Sequence, residues 1–228
     1  MKQGLPIRRE IRNFQNGLQR LCKDYSLRTE DSINPVLFSF HTDQVSLKVL
    51  SEDLTIEISN LIRTGIRDSI PKTIDDLMKK TGKTLDISER MYLEAKIENS
   101  IGRKYAGKTL QGRLKTSHRF TAQNLLRTYR LRQAGLNPSW YDTFLGSGQS
   151  IYFWNNRLGT TEILRTYHYT VQEFARVTKA KEISFRFDKR QLERRSEYRL
   201  LADGGPYKVD ELPDYPRPYA SYLLDIKY

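Results

Sequence analysis

Apolar residues recur along most of this chain at the three- and four-residue intervals of amphipathic helices. The clearest case lies within Gly159 to Lys189, where Ile163, Tyr167, Val171, Phe174 and Thr178 fall at i, i+4, i+8, i+11 and i+15. That spacing puts them on one face of a 3.6-residue helix. Thr160 is placed as its N-cap, with Glu162 in the first turn, where a carboxylate meets the positive end of the helix. The Lys-Ala-Lys around Ala180 suits the opposite end. Beyond it the period changes to two. Ile183, Phe185 and Phe187 alternate with Glu182, Ser184 and Arg186, the pattern of a half-buried strand. A long helix running into a strand is therefore the expected centre of the fold.

Upstream, Ile7, Ile11, Phe14, Leu18, Leu21, Cys22 and Tyr25 make a helical stripe with Pro6 at its first turn. Asn34 to Phe40 reads as a short extended piece. Leu54, Ile58, Leu61, Ile62 and Ile66 mark a second helix, weakened near its end at Gly65, with Pro71 expected to break it or to start the next turn. Lys72 to Thr84 carries no strong period, and a third helix is expected from Ser88, as N-cap, to about Lys104. Leu110, Leu114, Phe120, Leu125, Leu126 and Tyr129 allow a fourth, ending near Gly135 before a turn at Asn137-Pro138. Gly146-Ser147-Gly148 reads as a flexible loop, and IYFWNN after it as an aromatic cluster that needs burial or a partner. Gln191 to Leu201 fits helix or hairpin, and Asp203 to Pro206 a turn.

The expected fold is α+β and predominantly α-helical, with long amphipathic helices, a small β element near the C-terminus and an extended C-terminal tail. The expected divisions are a helical region 1–85, a helical domain with the β element 86–210, and a Pro/Tyr-rich tail 211–228. In that tail Tyr215, Tyr219, Tyr222, Leu223 and Leu224 put apolar bulk where prolines oppose a helix. They are the expected contact with a neighbouring subunit.

Charge sharpens this picture. Lys plus Arg exceed Asp plus Glu by 39 to 27, a formal net of +12 with a pI near 9.7. The excess is local: between Asn99 and Tyr141 stand Arg103, Lys104, Lys108, Arg113, Lys115, Arg119, Arg127, Arg130 and Arg132, with no Asp or Glu. A solvated helix face normally mixes signs, whereas a single-sign stripe repels itself until a polyanion screens it. These nine residues are the expected contacts to nucleic acid, in sequence-independent fashion. A single cysteine, Cys22, allows no intramolecular disulfide and fits a reducing compartment. It sits inside the first stripe and reads as a small buried apolar residue. No apolar run is long enough to span a bilayer, and MKQGLPIRREIRN lacks the apolar core of a signal peptide. The chain reads as soluble and intracellular at synthesis, without a membrane partner.

Catalytic constellations are sparse. His41, His118 and His168 lack zinc-site spacing, and there is no Walker loop, GxSxG or dinucleotide fingerprint. No catalytic residue, metal site or cofactor is expected. The enzymatic alternative is a DNA-processing protein of tyrosine-recombinase type, with Tyr167 or Tyr169 as nucleophile. It needs arginines and a His or Lys clamped on the scissile phosphate, and the adjacent His118-Arg119 lacks the usual spacing.

Gly107-Lys108-Thr109-Leu110 with Arg113, then Thr161-Glu162 with Arg165, the strand Ile183–Phe187, and Gly205-Pro206-Tyr207 with Tyr215-Pro216 follow one another between Lys104 and Pro218. This succession resembles the MuF-like head morphogenesis proteins of tailed bacteriophages. It departs from the family at Thr160, where the motif arginine would stand, and in lacking the cysteines of the last segment. The resemblance implies a non-enzymatic minor head or head-to-tail connector protein. Such a protein resides in the virion head or head–tail junction and, during assembly, in the host cytoplasm. Its expected partners are portal, connector or capsid proteins, further copies of itself, and double-stranded DNA. Thr161, Glu162 and Arg165 would then cap and brace the central helix. A ring-forming portal adaptor without this fold is the alternative within the same class.

Overall fold

Three long helices set the architecture. In the computed structural model, which describes residues 5–32, 40–100, 108–116, 140–215 and 220–228, they are α1 (Arg8–Ser32), α2 (Phe40–Thr81) and α5 (Trp140–Val177). Between α2 and α5 lie α3 (Ile87–Ser100) and a helical segment, α4, at residues 110–116. After α5 come β1 (Glu182–Arg186), α6 (Lys189–Arg194), α7 (Ser196–Asp203), β2 (Tyr207–Lys208), a 3-10 turn at Val209–Glu211 and β3 (Leu223–Lys227). The chain is mostly helical with a small antiparallel sheet near the C-terminus.

The stripes read from the sequence point inward. Ile7, Phe14, Leu18 and Cys22 on α1, Leu54, Ile58, Ile62 and Ile66 on α2, and Ile163, Tyr167, Val171 and Phe174 on α5 are all buried. Cys22 is a small buried residue of this stripe, and burial pushes its thiol up to about 11.

Two helices run further than their local signals suggest. Pro71 lies inside α2 and does not end it. Ile66, Ile70, Ile74 and Leu77 carry the buried stripe straight across it, so packing on both sides outweighs the one hydrogen bond that proline removes. Ser69 and Thr73 turn their hydroxyls onto the Ile66 and Ser69 carbonyls, satisfying buried polar groups within the helix. Likewise α5 starts at Trp140, so Gly146-Ser147-Gly148 is helical rather than a loop, and Thr160 is interior rather than an N-cap. The cap of α3 is also displaced from Ser88. Asp86 accepts from the Glu89 amide at 2.8 Å while Glu89 accepts from the Asp86 amide at 3.0 Å, a reciprocal capping box. The segment Asn34–Ser39 and the turn Asn137-Pro138 lie outside the described residues.

The residues group into two units that interleave along the sequence and do not follow the divisions 1–85, 86–210 and 211–228. One comprises Met1–Arg12, Thr64–Ile101 and Thr160–Tyr228; the other comprises Asn13–Arg63 and Gly102–Gly159. In the first, the sheet has the order β2-β1-β3, with Ile183 opposite Tyr207 and Ile226, and Phe185 opposite Leu224. Its inner face is aromatic. Phe187 stacks on Tyr198 at 4.5 Å between centroids, and Phe185 meets Tyr222 edge-on at 5.0 Å. The tail is therefore this unit's own material. Residues 223–227 are a strand paired to β1, with Leu224 opposite Phe185, and Tyr215, Tyr222 and Leu224 are buried within this unit. In the second unit, Phe14 of α1 lies against Gly159 of α5, and Gln15 donates to Asn156 at 3.2 Å.

Candidate functional site

The basic segment is described in part. Thr109 caps α4, its Oγ1 accepting from the Gly112 amide at 3.1 Å, and Leu110 and Leu114 bury one face of the helix. Lys108 and Lys115 are consequently exposed. Arg113 is half-buried, with Nε and Nη2 shielded from solvent, so it faces protein rather than a passing phosphate. Arg103, Lys104, Arg119, Arg127, Arg130 and Arg132 lie outside the described residues, as do His118 and Tyr219.

The middle of α5 carries an unusual number of buried polar side chains: Thr160, Thr161, Glu162, Arg165, Thr166, His168 and Thr170. Each described partner is structural. Arg165 pairs with Glu162 at 3.2 Å, both side chains 3% exposed. The guanidinium also lies 5.4 Å from the Tyr169 ring. Removing one member of such a pair strands a buried charge and costs about 3–5 kcal/mol, so the two depend on each other. Thr166 and Thr170 return their hydroxyls to the carbonyls four residues back, each at 2.8 Å. The Thr161-Glu162-x-x-Arg165 sequence therefore braces the helix interior, and its capping role is replaced by this pairing.

His168 and Tyr167 tie the same helix to the sheet. His168 Nδ1 lies 2.6 Å from the Tyr222 hydroxyl, and the ring also bonds the Pro213 carbonyl. Both are satisfied when a neutral ring donates to Pro213 and accepts from Tyr222. Burial pushes His168 down to about 4, opposed by the Pro213 bond. Tyr167 Oη accepts from the Leu224 amide at 3.1 Å, and burial raises its phenol well above the ordinary tyrosine range. At 3% exposure this hydroxyl is closed to a phosphodiester, and Tyr169, half-buried, faces Arg165 and His168. Further along α5, Glu173 is bonded by Lys96 of α3 at 2.7 Å and by Arg176, which reaches Asp210 at 2.7 Å. Burial alone would raise the Glu173 carboxyl; the bonds from Lys96 and Arg176 hold it below its usual range.

Of the five tail residues, Tyr215, Tyr222 and Leu224 are buried at 3%, 4% and 5% exposure, and Leu223 is half-buried. Tyr215 donates to the Ala220 carbonyl at 3.0 Å. Tyr215, Tyr222 and Leu224 thus lie in this unit's own core rather than on a surface open to a neighbour; Leu224 comes with β3, and Tyr222 immediately precedes it.

One surface feature was legible only as composition. Within IYFWNN, Phe153 and Trp154 stand on the outer side of α5, 54% and 52% exposed, their rings edge-to-face at 5.6 Å. The Arg157 guanidinium lies 5.9 Å from the Trp154 ring. The neighbours show why: Asn155 and Gly159, four apart, take the buried side, and Asn156 is bonded to Gln15.

Among the described residues, no group of three His, Cys, Asp or Glu side chains is placed to hold a metal ion, and no helix is long and apolar enough to cross a membrane. No protein-family model, curated protein or solved structure matches the chain.

Proposed function

We propose that the chain is a non-enzymatic structural protein that contacts double-stranded DNA without sequence preference, as a minor head or head-to-tail connector component of a tailed-phage virion. The virion setting, with portal or capsid proteins as neighbours, rests on the MuF-like succession of residues between Lys104 and Pro218. One observation carries the DNA contact: nine basic residues and no acidic residue between Asn99 and Tyr141. A second supports the absence of chemistry at the groups best suited to it. Cys22, Tyr167 and His168 are buried, and the tyrosine and histidine are engaged in holding α5 to the sheet.

The test is duplex binding as a function of salt. Six to eight phosphate contacts give log K a slope of roughly −5 to −7 against log salt. Replacing Lys108, Lys115, Arg119, Arg127 and Arg130 with Gln, while leaving the half-buried Arg113 in place, abolishes binding. Affinity that survives these substitutions with its salt slope intact refutes the reading and returns the segment to an ordinary solvated surface.

A further inference from the structure

Phe153 and Trp154 do not contribute to the chain's own core as their chemistry would allow. Large aromatic side chains are costly to leave in water, and here two adjacent ones are about half exposed. By the helical repeat Arg157 falls between Phe153 and Trp154 on the face opposite Asn155, which is 3% exposed. The face is thus two rings with a cation beside them. It belongs to the same unit as the exposed Lys108 and Lys115, and the sequence from Asn99 to Tyr141 carries nine basic residues and no acidic one. Rings supply a surface that any base can stack on, and neighbouring cations supply the attraction for its phosphates.

We infer that this face is a stacking platform for single-stranded DNA. The inference deepens the DNA-contact reading and rests on it. Unpaired bases, not duplex, are the favoured occupant because an indole on the outside of a helix reaches a base face only where that base is free of its own stack. The chain therefore binds single-stranded stretches or frayed ends more tightly than duplex of equal length. The basic segment supplies affinity common to both forms, and Trp154 supplies the difference.

Trp154 is one of only two tryptophans, the other being Trp140. In a Trp140→Phe variant the indole of Trp154 reports alone. Titration at low salt with an oligo-dT strand should quench its fluorescence, and titration with a duplex of the same length should not. Independently, in the otherwise unaltered chain, Trp154→Ala should weaken oligo-dT binding about tenfold, read by anisotropy of labelled DNA, and leave duplex binding unchanged. Duplex and oligo-dT binding that are both retained, with no quenching and no effect of Trp154→Ala, overturn the platform while the DNA contact stands. Absence of binding to either form at low salt overturns both. A Trp154→Ala variant altered in self-association but not in oligo-dT affinity overturns the platform and makes the face a contact between copies.

Discussion

Gly159→Ala is the substitution for which local propensity and tertiary packing give opposite signs. Gly159 lies inside α5, where replacing glycine by alanine normally stabilises a helix by about 1 kcal/mol. Here the added methyl carbon would sit 2.0 Å from Phe14 Cζ and 2.6 Å from both Cε atoms. Carbon atoms rest at about 3.5–4.0 Å, so ring and helix must part by roughly 1.5 Å or more. Phe14 is 1% exposed, so its ring cannot swing out into solvent, and protein interiors are close-packed. Overpacking of this kind costs about 1–3 kcal/mol, and separating the helices forfeits part of the roughly 2–3 kcal/mol held in burying the phenylalanine. The clash outweighs the propensity gain, and we expect a net destabilisation of about 1–3 kcal/mol. Urea unfolding followed by far-UV circular dichroism measures it. A double-mutant cycle with Phe14→Leu isolates its origin: the smaller side chain should suffer less from the new methyl, giving a coupling above about 0.5 kcal/mol. A Gly159→Ala protein as stable as the parent, or more so, refutes the close approach of α1 and α5 at this point.

Two further outcomes follow from the joint between α5 and the sheet. His168 is held at about 4, below the ordinary 6.5, so it is neutral when folded, and its contribution is fully present above about pH 6.5 and lost as pH falls towards 4. The full difference is on the order of 3 kcal/mol; comparing the pH profiles of unfolding for the parent and His168→Gln should show the gap closing over that window, and parallel profiles would remove the neutral buried imidazole from the account. Tyr167→Phe leaves the Leu224 amide without its acceptor, at a cost of about 1–3 kcal/mol, and amide exchange at Leu224 should accelerate; unchanged protection there would mean the bond is not the one that matters.

The periodic segments were readable because periodicity records burial, which is what the folded chain enforces. The α5 stripe, the α1 stripe and the alternation through β1 all came through in this way. What misled was punctuation. Pro71, Gly146, Gly148 and Gly159 are breakers by local rules, yet each lies within a long helix. At Pro71 the continuous buried stripe outweighs one lost hydrogen bond, and at Gly159 the residue serves the ring of Phe14 rather than a turn. The Thr161-Glu162-x-x-Arg165 spacing was visible, but whether it capped or braced depended on where the helix began, which no local signal gave. The tail differs from expectation for another reason. Its apolar content required a surface, and sequence alone does not tell a strand of the chain's own sheet from one lent to a neighbour. IYFWNN stands out in the sequence as an aromatic cluster, but Arg157 joins it only through the helical turn that brings it near Trp154.

The strand order β2-β1-β3 also bears on how the protein comes to be folded. β1 is flanked by strands that both follow it in the sequence, and its longer partner, β3, comes after α6, α7 and β2. During synthesis the helices can form locally within microseconds, but β1 emerges with Ile183 and Phe185 and no strand to pair with. Its completion waits for Leu223 onward, and only then do Tyr167 and His168 acquire the Leu224 amide and the Tyr222 hydroxyl. The unit is thus closed by contacts between distant parts of the sequence, which makes it the slow-forming half of the sheet-and-helix joint. A ribosome stalled before β2 and β3 emerge would hold β1 unpaired, with Ile183 and Phe185 uncovered, the kind of exposed edge on which nascent chains aggregate.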